Sequence, residues 1–205
     1  MAEWDDESIL SGVSLMGAPM NVKYNVQAPQ LKLNIGAGRA PRIPGYVHCD
    51  LHPYDTIDKV FDASGPWPFE DNSAGQIYAS HVIEHLPDPM PFFNEAWRVL
   101  HPKGTLIMRL PNGAGAHRWA WGSFCHVRAY SIMAFYGLQG GYSAGLDDGD
   151  PEKKWKVREF WSFIEPDCAW LLKWPWNKLL LNRVLKYCPS ISGEIGVVMT
   201  KVEST

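Results

Sequence analysis

A short apolar run that leads directly into a glycine turn is the feature that most restricts the fold of this 205-residue chain. Residues 31–35 have the length and composition of a buried strand, and Gly36-Ala-Gly38 follows without a spacer. Glycine lets the backbone turn tightly and approach a ligand where a side chain would collide. This arrangement is typical of a parallel α/β sheet, in which ligands bind beyond the carboxyl ends of the strands.

The rest of the chain repeats this pattern of short strands. We predict strands at 46–50 and 59–62, which end on Asp50 and Asp62, and at 75–79, 105–110, 159–164 and 194–200. Apolar residues at helical spacing predict a helix over 91–100, and a second amphipathic helix, over 170–187, is interrupted near Pro175. Strand and helix alternate without hairpin signals, which indicates a doubly wound, mostly parallel Rossmann-like α/β sheet.

The chain is expected to form one domain over residues 1–205. Residues 1–28 lack periodicity and are interpreted as an arm packed over the domain or partly disordered. Residues 29–112 form the predicted cofactor-binding half. Residues 113–205 form a substrate-facing cap half, in which seven of the ten tryptophans lie between Trp119 and Trp176.

Composition restricts both the class of molecule that the protein binds and the cellular compartment in which we expect it. The 19 basic and 22 acidic residues give a net charge of −3, which argues against nucleic acid as the main partner. The acidic start and the lack of a long apolar run predict a cytoplasmic protein without a targeting segment. None of the four cysteines has the spacing of a zinc site, so we expect reduced thiols and no bound metal.

The two aspartates suit an adenosine better than a dinucleotide. Asp50 is placed to accept hydrogen bonds from ribose hydroxyls, and Asp62 from an exocyclic amine. Only eleven residues separate Gly38 from Asp50, and they include two prolines, so no full helix fits between them. A nicotinamide-dependent oxidoreductase, which needs that helix for its pyrophosphate, is therefore disfavoured. The remaining alternative is that both aspartates merely cap strand ends.

Five segments together resemble the ordered motifs of class I S-adenosylmethionine-dependent methyltransferases. These are LNIGAG at 33–38, VHCDL at 47–51, FDA at 61–63, YASHVIEHL at 78–86 and EAWRVLHPKG at 95–104. The likeness extends over roughly residues 31 to 112 and is to the compact branch of the family, in which the first helix is shortened. It implies methyl transfer with S-adenosyl-L-methionine as the cofactor.

The resemblance also implies which residues contact that cofactor: Gly36, Ala37, Gly38, Arg39, Asp50, Leu51, Asp62, Ala63 and His81. The glycine turn would contact the methionine moiety, with Arg39 paired to its carboxylate. Asp50 would hold the ribose and Leu51 would pack on the adenine, whose edge would meet Asp62 and the residue after it. His81 would lie near the sulfonium. The chain departs from the common G-x-G-x-G pattern at Ala40.

Methyl transfer is a direct displacement, so a general base is needed only when the acceptor must lose a proton. We predict His81 and His126 as the catalytic residues. Glu84 and His85 are further candidates, although in the related family they more often hold the loop after the fourth strand. Asn112, just beyond the fifth predicted strand, is placed where an acceptor could be met.

The acceptor is left open, as is activity itself. The tryptophan-rich segment is interpreted as a cap, as an aromatic site for a flat or sugar-like acceptor, or as an interfacial helix at a membrane surface. The amino-methylating tetrapeptide expected of nucleic-acid enzymes is absent after residue 79. A small-molecule or saccharide-like acceptor is therefore the main hypothesis. The alternative is a catalytically inactive S-adenosylmethionine-binding scaffold.

Overall fold

One eight-stranded sheet runs through the part of the chain that the structure describes. The structure is a computed structural model, and it describes residues 12–15, 28–114, 118–138, 154–164, 168, 170, 173 and 191–202. The strands are β1 (Gly12–Leu15), β2 (Lys32–Ile35), β3 (Val47–Asp50), β4 (Lys59–Val60), β5 (Ala74–Ser80), β6 (Leu100–Pro111), β7 (Lys154–Ile164) and β8 (Ser192–Val202).

The strand order is β1-β7-β8-β6-β5-β2-β3-β4. Strand β8 is antiparallel to both of its neighbours, and every other pair is parallel. The prediction of a mostly parallel, Rossmann-like sheet is therefore confirmed. Strands β7 and β8 come from the half of the chain that was assigned to the cap, and their place in the sheet shows that this half also builds the core.

Three α-helices are described: α1 (Met90–Val99), α2 (Arg118–Gly122) and α3 (Ile132–Leu138). Helix α1 confirms the helix predicted from apolar spacing, because Phe92, Phe93, Ala96 and Val99 are all buried in the core. A 3₁₀ turn, Ile83–His85, connects β5 to α1. No helix in the described part of the chain has both the length and the apolarity needed to cross a membrane.

The connection from β2 to β3 contains no helix, as the two prolines predict. Residues 36–46 form turns and irregular backbone, and the amide of Ala37 donates to the carbonyl of Cys49 at 3.0 Å. The chain thus crosses directly from the glycine turn to β3. This short connection keeps the end of β2 close to the end of β3, where the predicted ribose ligand Asp50 lies.

Two segments differ from expectation. Residues 12–15 lie in the segment that was interpreted as an arm packed over the domain or partly disordered, and they form an edge strand parallel to β7. A four-residue edge strand is stabilised by pairing with a distant strand, and that leaves little periodic signal in its own sequence. Strand β4 is also shorter than predicted, so that Asp62 lies in the turn after it. The helix predicted over 170–187 lies outside the described residues, apart from residues 170 and 173.

Arg98 connects α1 to the loop that precedes β5. Its guanidinium donates to Glu95 at 2.7 Å and to Asp71 at 2.7 Å, and also to the carbonyls of Trp67 and Phe69 at 3.0 and 2.9 Å. Buried backbone carbonyls are costly to leave unpaired. The R-V-L segment of the sequence motif therefore has a structural role in this fold.

Candidate active site

The strand order reverses direction between β2 and β5. From β2 the chain continues outward to β3 and β4, whereas β5 and β6 lie on the other side. In open α/β sheets such a reversal leaves a crevice beyond the carboxyl ends of the strands, and ligands bind there. The glycine turn after β2 and His81 after β5 lie at this crevice, next to the ends of β3 and β4.

The two glycines of the turn have different roles. Both have positive φ, +68° at Gly36 and +58° at Gly38, a conformation that side chains rarely adopt. A Cβ atom at Gly36 would lie 2.4 Å from Cγ2 of Val82, so this glycine is needed for packing between the loops. A Cβ atom at Gly38 would have no atom within 4 Å and would enter open space.

Asp50 holds the glycine turn in place. Its Oδ2 accepts the Gly38 amide at 2.8 Å, and its Oδ1 accepts the His52 amide at 2.9 Å. Each carboxylate oxygen has a second lone pair, so both remain able to accept a further hydrogen bond from a diol. Leu51, the next residue, is 56% exposed.

The turn after β4 completes this edge of the sheet. Oδ1 of Asp62 accepts the Ser64 amide at 2.8 Å, and the carbonyl of Ala63 accepts the Trp67 indole N–H at 3.1 Å. The Asp62 side chain is otherwise exposed to solvent. The Arg39 guanidinium, directly after the glycine turn, lies 4.9 Å from the ring centroid of Tyr54.

His81 lies between two carboxylates. Its Nε2 is 3.0 Å from Oε1 of Glu194, and its Nδ1 is 3.1 Å from Oε1 of Glu84. These contacts, with Glu194 contributing most, raise the pKa of His81 to about 9. A general base needs a free lone pair directed at the acceptor, and here both ring nitrogens face acidic oxygens. The arrangement suits a positioning role better than the predicted role of proton acceptor.

The backbone of His81 is also constrained. Its φ is +56°, in the left-handed region that non-glycine residues seldom occupy, and its amide donates to the carbonyl of Arg109 at 2.9 Å. Such strain persists only where the surrounding structure holds it. The imidazole is thereby turned toward Glu84 and Glu194, at the end of β5.

Glu194 is a site residue that the sequence analysis did not single out. It lies on β8, accepts a hydrogen bond from Arg109, and is 9% exposed. Burial acts to raise the pKa of Glu194, but the hydrogen bonds from His81 and Arg109 outweigh it and hold that pKa below its usual value. The Arg109 guanidinium in turn lies 4.3 Å from the ring centroid of Phe163. The signal in the sequence was one acidic residue at the start of an otherwise apolar strand.

The structure brings the second predicted catalytic residue, His126, to the other side of Glu84. The His126 ring lies edge to face with that of His85, with 4.8 Å between centroids. The backbone carbonyl of Glu84 accepts the amides of Val127 and Arg128 at 2.9 and 3.3 Å. Glu84 therefore contacts His81 through its carboxylate and the segment that follows His126 through its backbone carbonyl.

Asn112 has a structural role. Its Oδ1 accepts the Ala114 amide at 3.0 Å, and its Nδ2 donates to the carbonyl of Ser192 at 3.3 Å. The residue is buried. Its side chain is therefore engaged with backbone at both ends, which does not suit direct contact with an acceptor.

A cavity of about 290 Å³ adjoins this region. It lies between the loop after β5 and helix α3, and its lining is apolar apart from Asp88, Arg128 and Tyr130. Burial raises the pKa of Tyr130 to about 12, and its hydroxyl lies 3.4 Å from the carbonyl of Ile83. The cavity thus has an apolar interior with a few polar groups, as small-molecule pockets do.

Comparison with known proteins agrees with this geometry. Residues 37–108 match the family model described as "Methyltransferase domain". About a third of the chain is thus similar to a methyltransferase domain. The matched residues run from Ala37 in the glycine turn to Met108 in β6, and so include Asp50, Asp62 and His81. S-adenosylmethionine is the cofactor of this family, as the sequence resemblance implies.

Solved structures of methyltransferases share the fold of this chain. A chain in the complex of the Haloferax volcanii Trm112 methyltransferase activator with a methyltransferase is 17% identical, with a TM-score of 0.52 over 84% of this chain and 83% of that chain. The geranyl diphosphate C-methyltransferase from Streptomyces coelicolor is 12% identical, with a TM-score of 0.54 over 87% and 75%. Identities this low establish the fold alone. No curated protein matches the sequence significantly.

Proposed function

We propose that this chain binds S-adenosylmethionine in the crevice between β2 and β5 and transfers its methyl group to a small-molecule acceptor. The observation that carries the proposal is the link between Asp50 and Gly38. The carboxylate of Asp50 accepts a hydrogen bond from the Gly38 amide and so holds the glycine turn in place. Beside Gly38 is an open space, here called the cradle, in which a Cβ atom would have no atom within 4 Å.

The residues around this cradle fit the cofactor. The turn at 36–38 offers close backbone approach for the methionine moiety, and Arg39 offers a cation for its carboxylate. Asp50 retains lone pairs for the ribose hydroxyls, and the exposed Leu51 gives an apolar surface for the adenine. Asp62 is exposed in the turn after β4, at the same edge of the sheet, and suits a hydrogen bond from the adenine amine.

When bound, the sulfonium of the cofactor supplies an electrophilic methyl carbon. The chain then has to hold the acceptor on the side of that carbon opposite the sulfur and to exclude water. Alignment alone can supply most of the rate acceleration. We assign His81 as a positioning residue, because Glu84 and Glu194 fix its ring at the end of β5. The polar groups of the adjoining cavity, Arg128 and Tyr130, are the candidates for orienting the acceptor.

The size of the cavity supports a small acceptor. A volume of about 290 Å³ lies at the lower end of the range for small-molecule sites. A net charge of −3 over the chain also gives no general attraction to a phosphate backbone.

A catalytically inactive, cofactor-binding scaffold is the second candidate. Two observations favour it: Ala40 replaces the last glycine of the common motif, and both nitrogens of His81 are occupied by carboxylates. The two candidates share the cofactor site and differ only in turnover. Binding measurements therefore cannot separate them.

The separating experiment follows conversion of S-adenosylmethionine to S-adenosylhomocysteine by purified protein mixed with fractions of small metabolites. An enzyme forms the product in at least one fraction, at a rate proportional to protein concentration. The Gly38→Val variant, whose side chain occupies the cradle, is the matched control and should form none. Cofactor binding without product in any fraction would favour the scaffold.

A further inference from the structure

A cluster of three side chains beside the candidate active site has the composition of a metal centre. Glu84 and His85 lie in the 3₁₀ turn after β5, and His126 lies in the segment between α2 and α3. One ligand atom from each residue lies within 4.8 Å of the other two. We propose that Glu84, His85 and His126 bind a divalent first-row transition-metal ion, of which Zn²⁺ is the representative.

The tautomer of His85 is set for coordination. Its Nδ1 is 3.0 Å from the carbonyl oxygen of Cys125, which can only accept a hydrogen bond. Nδ1 therefore carries the proton, and Nε2 is left with its lone pair. Histidines that bind metals usually have this arrangement, in which the second nitrogen donates to a carbonyl or carboxylate and orients the ring.

Glu84 and His126 both have buried polar atoms that lack hydrogen-bond partners. Glu84 is 1% exposed, and its Oε1 is paired with His81 Nδ1 at 3.1 Å. Its Oε2 is buried and has no hydrogen-bond partner in the described part of the chain. Nδ1 of His126 is buried without a partner as well. Such groups are costly to bury, and coordination to a cation offsets the cost.

The donor set resembles that of catalytic zinc sites, in which three protein ligands leave one position for water or substrate. Two imidazoles and one carboxylate are also compatible with other first-row ions. With bonds of about 2.1 Å, tetrahedral ligand atoms lie about 3.4 Å apart, so ligand atoms that are now up to 4.8 Å apart would approach by up to about 1.4 Å on binding. Rotation of the two histidine side chains can supply a movement of that size.

The bound ion would join two segments that form one wall of the cavity. The amides of Val127 and Arg128 already donate to the carbonyl of Glu84, and Arg128 lines the cavity. Coordination by His126, which directly precedes Val127, would tighten the contact between these two segments. None of the three ligands is assigned to the cofactor, but Glu84 also contacts His81, so the ion would lie directly beside the proposed methyl-transfer site.

The test uses metal-free, full-length protein titrated with Zn²⁺ in competition with a chromogenic chelator. We expect one ion per chain, and with Co²⁺ in its place we expect visible absorption bands from low-coordinate cobalt. Removing a ligand should weaken Zn²⁺ binding by more than about 100-fold, which exceeds the usual effect of losing an outer-shell partner. The variants are His126→Gln and His85→Gln.

His101→Gln is the control, because His101 lies at the start of β6 and its Nδ1 only accepts the Lys103 amide. This variant should bind Zn²⁺ as the wild type does. Circular dichroism establishes which variants are folded, and His126→Gln removes a ligand from a connecting segment even if His85→Gln fails to fold. The proposal is overturned if the wild type binds no stoichiometric Zn²⁺, or if folded His126→Gln keeps wild-type affinity.

Discussion

Asp50→Ala is expected to weaken binding of S-adenosylhomocysteine. In the structure both carboxylate oxygens accept backbone amides, from Gly38 at 2.8 Å and His52 at 2.9 Å. The substitution removes the predicted ribose contact and also the hydrogen bond that holds the glycine turn. The loss of charged hydrogen bonds should cost about 1–3 kcal/mol of binding free energy, or roughly a 5- to 150-fold increase in Kd.

The same substitution has a separate effect on stability. Two amides lose a charged acceptor, but both lie at the edge of the sheet where water can replace it. We expect the free energy of unfolding to fall by about 1–2 kcal/mol and Tm by roughly 2–8 °C. Binding is therefore measured by calorimetric titration well below Tm, and folding of each variant is checked by circular dichroism.

Two further variants show whether the carboxylate itself is responsible. Asp50→Asn keeps one acceptor oxygen and should fall between the wild type and Asp50→Ala in affinity. Asp55→Ala removes an exposed carboxylate from the loop after β3 and should bind like the wild type. Unchanged affinity in folded Asp50→Ala would show that Asp50 does not contribute to the site. An equal loss of affinity in Asp55→Ala would show that the effect depends on the net charge of the protein and not on the Asp50 carboxylate in particular.

Three other predictions follow from the packing. Gly38→Val should weaken S-adenosylhomocysteine binding at least tenfold in calorimetry yet remain folded, at a cost of about 1–2 kcal/mol for positive φ. Gly36→Val should lower Tm more than Gly38→Val does, because its Cβ would also lie 2.4 Å from Cγ2 of Val82. Arg98→Leu should lower the free energy of unfolding in urea by about 2–4 kcal/mol, and a change below about 0.5 kcal/mol would contradict its role. Burial raises the pKa of Cys49 to about 12, so at pH 8 only about one Cys49 thiol in ten thousand is ionised. Iodoacetamide should therefore modify the exposed Cys125 and leave Cys49 intact, as measured by peptide mass analysis. Equal labelling of the two cysteines would show that Cys49 is not buried.

The edge of the sheet that is proposed to bind the cofactor could be located from sequence because its signals are local. Residues 31–38 carry both the strand and the turn that ends it, and Asp50 and Asp62 are each adjacent to a strand end. In a parallel sheet the carboxyl ends of neighbouring strands meet at one edge, so the pattern along the chain also predicts proximity in space. The missing helix after the turn was predictable from two prolines for the same reason.

The polar cluster on the other side of the crevice could not be predicted in this way. Glu194 reaches His81 only because β8 runs antiparallel beside β6, a pairing that no local pattern announces. His126 approaches Glu84 through a connection of more than thirty residues. The edge strand at 12–15 likewise depends on β7 for its partner. Contacts of this kind are decided by topology, whereas strand and turn signals are decided by neighbouring residues.

The central claim, that the crevice between β2 and β5 binds S-adenosylmethionine, is tested most directly by calorimetric titration of the wild-type protein with S-adenosylhomocysteine. NAD is the control ligand, because the short connection after Gly38 leaves no helix to receive a pyrophosphate. The account predicts one site per chain with a Kd of about micromolar order for S-adenosylhomocysteine and no heat from NAD. Binding of NAD, or no binding of S-adenosylhomocysteine by folded protein, would contradict it.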